Sequence, residues 1–190
     1  MSDHLDLIGN WVEHVGTVIA AIGETKQLVG DNDNDIGLGL GVLGNSIQGL
    51  GNIIQASSET VSVEVEFGNW IQAAGTISNA IAEYQMLQDS ITDILEAGKI
   101  EVVGDIFQSL GSLISANGRL EEHRGLVDGN IVQSIGAALE GIGVVYSTIL
   151  GEERRGQTLE VIGGWLQAIG TGYQSIGITK QYLLGNGKDN

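Results

Sequence analysis

The sequence predicts an all-α fold: six amphipathic helices in three tandem antiparallel hairpins, closely packed along heptad-spaced glycine rows. Three observations predict it. An eight-residue frame bounded by glycines recurs six times. Apolar residues recur at helical spacing beside each glycine row. The 190 residues contain no proline, so nothing of that kind interrupts a helix.

The frame first stands at Gly9–Gly16 as Gly-Asn-Trp-Val-Glu-His-Val-Gly. Its copies run Gly44–Gly51, Gly68–Gly75, Gly104–Gly111, Gly129–Gly136 and Gly163–Gly170. The steps between starting glycines are 35, 24, 36, 25 and 34 residues. Long and short steps alternate, so the period is a pair of frames, about 60 residues. One domain of three repeats follows: 1–60, 61–123 and 124–190.

The first helix is expected over 3–29. With Ile8, Val15, Ile22 and Val29 at heptad position a, Trp11 and Val18 fall at d, Val12 and Ile19 at e, and Gly9, Gly16 and Gly23 at b. At about 100° per residue these positions share one face, with the glycine row bordering the apolar stripe. A glycine inside a helix costs about 1 kcal/mol relative to alanine. Close approach of a neighbouring backbone is the expected compensation, because small residues permit it.

Gly30 and the run Asp31-Asn32-Asp33-Asn34-Asp35 stop that helix and start the next, expected over 36–56. Residues 57–66 are ambiguous. Val61, Val63, Val65 and Phe67 alternate with polar residues as in a strand, while the repeat favours a helix start. The repeat is preferred, because acids also precede other copies of the frame and suit a helix N-terminus. The third helix is expected to run to Ala97 and break at Gly98. The fourth is expected over 99–120, the fifth over 126–150, and the sixth over 157–185 after a charged turn at Gly151–Gly156. A frayed tail follows at 185–190.

Composition narrows the function. Glycine numbers 30, about twice the ordinary share of ~7%. Lys plus Arg number 8 against 24 acids, a net charge of −16. That balance opposes nucleic-acid and anionic-membrane binding, which need clustered positive charge. With no cysteine there is no disulfide and no cysteine-based zinc site. The N-terminus has no signal-peptide pattern, so a soluble, cytoplasmic chain is the default expectation. Charge-poor stretches at 36–58 and 161–179 are long enough to span a bilayer, but asparagine, glutamine and glycine interrupt them, so a constitutive transmembrane helix is not expected.

The residues singled out are mainly architectural. The twelve frame glycines are assigned to helix packing. Trp11, Trp70 and Trp165 share one frame position in three helices and are assigned as core anchors. Gln48, Gln72, Gln108, Gln133 and Gln167, with Glu13 in the first copy, sit at position f, outside the apolar face. They read either as a solvated helix back or as a ladder of amides contacting a neighbouring helix or another copy of the protein. The second reading draws on the absence of Lys and Arg, which a solvated position would tolerate equally.

Asp31, Asp33 and Asp35 have the spacing that opens an EF-hand loop. The glycine and glutamate that loop requires are replaced by Ile36 and Val42, so a solvated acidic turn is the simpler reading. His4, His14 and His123 have no metal-ligand spacing. No phosphate-binding loop and no nucleophile beside a base emerges. No catalytic residue, cofactor or metal is therefore expected.

The frames Gly68-Asn69-Trp70-Ile71-Gln72 through Thr76 and Gly163-Gly164-Trp165-Leu166-Gln167 through Thr171 resemble glycine-rich repetitive helical proteins of Bacillus-type bacteria. The resemblance covers most of the chain and implies no activity. The expected role is a non-enzymatic structural or protein-interaction repeat that self-associates as a homo-oligomer, with no nucleic acid as partner. The alternatives are a soluble protein that inserts into membranes through its glycine-rich helices, and a small-ligand-binding bundle.

Overall fold

The computed structural model describes residues 4–30, 34–88 and 91–186. They form α1 (Leu5–Val29), α2 (Asn34–Ala56), α3 (Val63–Met86), α4 (Ile91–Gly118), α5 (Arg124–Val144), a π-helical turn (Val145–Ile149), and α6 (Glu153–Asn186). Asp31 and Asp33 of the acidic run, and the tail 187–190, lie outside the described residues.

The ambiguous segment resolves by capping. Ser62 Oγ accepts a hydrogen bond from Val65 N at 3.3 Å, which starts α3 at Val63 and turns the alternating valines into a first helical turn. His123 Nδ1 does the same for α5, accepting from Gly125 N at 3.1 Å. Gly151, at φ 72°, occupies the left-handed region that reverses the chain before α6.

Two expected boundaries are corrected. The third helix ends at Met86, not Ala97, and Gly98 lies inside α4. Gly98 answers to packing rather than to termination: a methyl there would meet Thr148 Cγ2 at 2.5 Å. The sixth helix begins at Glu153, so most of the expected charged turn is its first turn.

Each helix packs on the next, and α6 returns to α1, so the six close into a ring of three hairpins. The hairpins are held at paired glycines: Gly9 with Gly51, Gly16 with Gly44, Gly68 with Gly111, Gly75 with Gly104, Gly129 with Gly170, and Gly136 with Gly163. A methyl on Gly16 would stand 2.7 Å from the Gly44 carbonyl oxygen, and one on Gly136 2.6 Å from that of Gly163. Any larger residue would push the backbones apart.

The ring is turned inside out relative to the sequence expectation. Trp11, Trp70 and Trp165 are not core anchors: they are 43%, 46% and 40% exposed on the outer face. Beside them on that face stand Ile8, Val15, Ile22, Leu43, Ile77, Leu110, Ile135 and Ile169. The interior holds the glutamine series, Glu13, and the asparagines at position c. The reason is steric. The glycine seams bring backbones so close that mostly small residues, amides and carboxylates stand behind them, and most bulky apolar side chains are left outside.

Candidate functional site

The interior is a stack of polar layers built from positions c and f. At one end, Arg119, directly after α4, is 1% exposed and donates to Asp6 Oδ1 on α1 at 2.7 Å and to Glu122 Oε2 at 2.9 Å. Asn10 Nδ2 donates to Asp6 Oδ1 and to Gln55 Oε1, both at 3.0 Å. This ion triad closes that end of the ring.

Next comes the glutamine layer. Gln55 Nε2 donates to Glu13 Oε2 at 2.6 Å, and Gln133 Nε2 donates to Glu13 Oε1 at 2.6 Å. Glu13, which stands where the other copies carry glutamine, thereby ties α1 to α2 and across the interior to α5. Gln174 Nε2 donates to Gln133 Oε1 at 2.7 Å, and Gln48 Nε2 reaches Gln108 Oε1 at 3.1 Å. Ser112 Oγ donates to Gln72 Oε1 at 2.8 Å. A buried amide left unbonded costs about 1–3 kcal/mol, and the layer is satisfied only in part: Gln108 Nε2, Gln167 Oε1 and both polar atoms of Asn52 have no partner among the described residues.

Toward the other end the amides give way to acids around a chamber of about 370 Å³. Five helices contribute wall carboxylates: Glu24 from α1, Glu83 from α3, Glu101 from α4, Glu140 from α5 and Glu160 from α6. Asp35 and Glu153 stand with Gly151 where the chamber meets the surface. Among the described residues no Lys or Arg lines it. Asn45 Nδ2 donates to Glu83 Oε2 at 2.9 Å, Ser147 Oγ to Glu160 Oε1 at 2.6 Å, and Gln167 Nε2 to Glu140 Oε2. The π-helical turn brings Ser147 and Thr148 to the wall. Such turns occur frequently at functional sites.

The sequence-assigned residues distribute as follows. The twelve frame glycines line the seams within hairpins. The tryptophans face outward, two of them with the indole N–H satisfied inside the protein: Trp11 Nε1 donates to Thr179 Oγ1 and Trp165 Nε1 to Thr25 Oγ1, both at 3.1 Å. His4 packs against Tyr182, His14 pairs with Thr171 Oγ1 at 3.1 Å, and His123 caps α5. The three histidines do not come together. Among the described residues no three His, Asp or Glu side chains converge on a position that could hold a metal ion.

Sequence reasoning missed the chamber acids. Glu101 and Glu160 are among the acids that precede a frame and read as helix-start acids, and Glu24, Glu83 and Glu140 were passed over. All five fall at c or f, the positions of the buried amides, and that shared register was the signal available.

The model of a family of unknown function, DUF6944, matches residues 4–175, which span all six helices. The chain belongs to the DUF6944 family. No curated protein and no solved structure matches it. For this DUF6944 member the geometry of the ring therefore carries the functional argument.

Proposed function

We propose that the chain is a bilayer-embedded helical ring, non-enzymatic, that holds a polar and acidic interior within a membrane. One observation carries this reading: an outer belt without exposed charge that runs all the way round. The stretches 5–25 on α1, 36–56 on α2, 67–86 on α3, 100–120, mostly α4, 129–149 on α5 and its π turn, and 156–179 on α6 present no exposed Asp, Glu, Lys or Arg. At 1.5 Å per residue each is about 30–36 Å long, the thickness of a bilayer's hydrocarbon core. Exposed charges flank them at Lys26, Asp35, Glu66, Lys99, Glu121, Asp128, Arg155 and Lys180.

Charged side chains inside those stretches, among them Glu13, Glu83, Asp105, Arg119 and Glu140, are buried in the interior. Ionisable residues at membrane depth face a bundle interior or a water-filled cavity in this way. Glycine seams are likewise a means of holding helices together in lipid, where burial of apolar surface gives no driving force.

By overall hydropathy, one segment among the described residues, Arg124–Ile149, is long and apolar enough to cross a membrane. The others are diluted by the interior Asn, Gln and Glu, which hydropathy averages together with the outer face. Overall composition therefore understates an outer surface that never meets those residues.

The competing reading is self-association, with further copies covering the belt. A closed dimer covers one patch of each subunit, whereas this belt is continuous around six helices. The deciding experiment expresses the chain in bacteria, washes the membranes with alkaline carbonate, and floats them on a density gradient. The proposal expects the chain to remain with the floated vesicles. Recovery as a soluble oligomer, stable on sedimentation without detergent, would establish the competing reading instead.

A further inference from the structure

The geometry points to the chamber as a binding site for an aliphatic polycation of the polyamine class: two or more ammonium groups separated by methylenes. The first ground is electrostatic. Five wall glutamates, one from each of five helices, share one cavity with Asp35 and Glu153 at its mouth, and among the described residues no Lys or Arg lines it. Anions removed from water require a counter-charge or a dense set of donors.

The second ground is independent of the acid count and concerns hydrogen bonds. Glu83 and Glu140 are 5% and 8% exposed, and each has one oxygen bonded to an amide. Their other oxygens, Glu83 Oε1 and Glu140 Oε1, have no partner among the described residues. Among the residues that line the chamber, Glu24 and Asn79 each carry a buried acceptor, Oε2 and Oδ1, with no hydrogen-bond partner among the described residues. Donors on the wall such as Asn45 Nδ2 and Ser147 Oγ are already engaged, and an ammonium group supplies three more.

The third ground selects the class of cation. Among the described residues the carboxylates are spread around the chamber and do not converge on a single metal position. A volume of about 370 Å³ exceeds what one ion requires. Leu38, Met86 and Ile94 also line the chamber and offer apolar surface between the acids. Separated charges with apolar contact between them match ammonium groups joined by methylenes. The site goes beyond the membrane reading, because the chamber is enclosed by the ring whatever covers the belt. Vesicle flotation and ligand binding can therefore fail separately.

The test is calorimetric titration of the purified full chain with spermidine, putrescine, magnesium chloride and potassium chloride. Salt at about 0.15 M screens the general attraction of the net charge beyond about 8 Å. The expected result is saturable spermidine binding at one site, weaker binding of putrescine, and magnesium at least tenfold weaker than spermidine. Glu83→Gln and Glu140→Gln should each weaken spermidine at least tenfold. Glu64→Gln, exposed at the opposite end of α3, should leave it unchanged. If either interior variant fails to fold, Glu101→Gln takes its place, since Glu101 accepts no hydrogen bond from the described residues.

Three results would overturn the proposal. Unsaturable uptake, or uptake indifferent to the interior substitutions, would mean adsorption to the acidic surface. Magnesium binding as tight as spermidine would mean an inorganic cation site. Absence of binding would mean that protons alone neutralise the wall.

Discussion

Substituting alanine for Gly136 and for Gly39 should shift stability in opposite directions. Both glycines lie inside helices, so alanine gains about 1 kcal/mol of helix propensity at each. At Gly39 a methyl meets nothing within 4 Å, so most of that gain should survive. At Gly136 it would meet the Gly163 carbonyl oxygen at 2.6 Å and Gln167 N and Cγ, each at 2.7 Å. Two of those three atoms are backbone and cannot rotate away, so α5 and α6 must separate. Overpacking of this kind costs about 1–3 kcal/mol, and separation also strains the Gln167–Glu140 bond behind the seam. Gly136→Ala should therefore destabilise by about 1–2 kcal/mol net, and Gly39→Ala should stabilise by about 0.5–1 kcal/mol. At about 2–4 °C per kcal/mol for a chain of this length, Tm should fall by about 2–8 °C in the first and rise by about 1–4 °C in the second. Thermal melting followed by circular dichroism, with both variants in the same detergent, reads the difference. Equal shifts of the same sign would refute the claim that paired glycines are seams and not merely flexible positions.

Removing Arg119 should be more damaging. Arg119→Ala leaves Asp6 and Glu122 without their buried cation, a loss of about 3–5 kcal/mol in the same melting assay. A change under about 1 kcal/mol would mean that water already reaches the triad. Glu13→Gln replaces an acceptor pair with an amide that accepts from only one side, so its Nε2 would oppose the donor of Gln55 or of Gln133. A loss of about 1–3 kcal/mol is expected. An unchanged melt would show that the layer repacks freely.

Much of the architecture was legible because glycine spacing reports it directly. The alternating steps of the six frames specify hairpins, and Gly16 facing Gly44 is the contact that the spacing implies. Gly98 misled for a physical reason: a glycine that ends a helix and a glycine that admits a neighbour's Thr148 look alike in sequence. Which face points inward was not legible. The heptad pattern separates Trp11 and Val15 from Asn10 and Glu13 but carries no label for the solvent, and placing the apolar stripe inside assumes that water lies outside. The corrective signal was present at position f, where six copies carry Gln or Glu and none carries Lys or Arg. The chamber was harder to see, because Glu24 and Glu160 are distant in sequence and meet only when α6 closes on α1.

In the membrane-embedded ring proposed above, the apolar faces of the six helices point outward into lipid. The three tryptophans are native reporters of that orientation, one each on α1, α3 and α6, and the chain has no others. Tryptophan fluorescence of the chain reconstituted in vesicles, with lipids brominated along their acyl chains, measures contact with hydrocarbon directly. Strong quenching by the brominated lipids and protection from aqueous acrylamide are expected. Efficient acrylamide quenching with no response to brominated lipid would contradict that orientation.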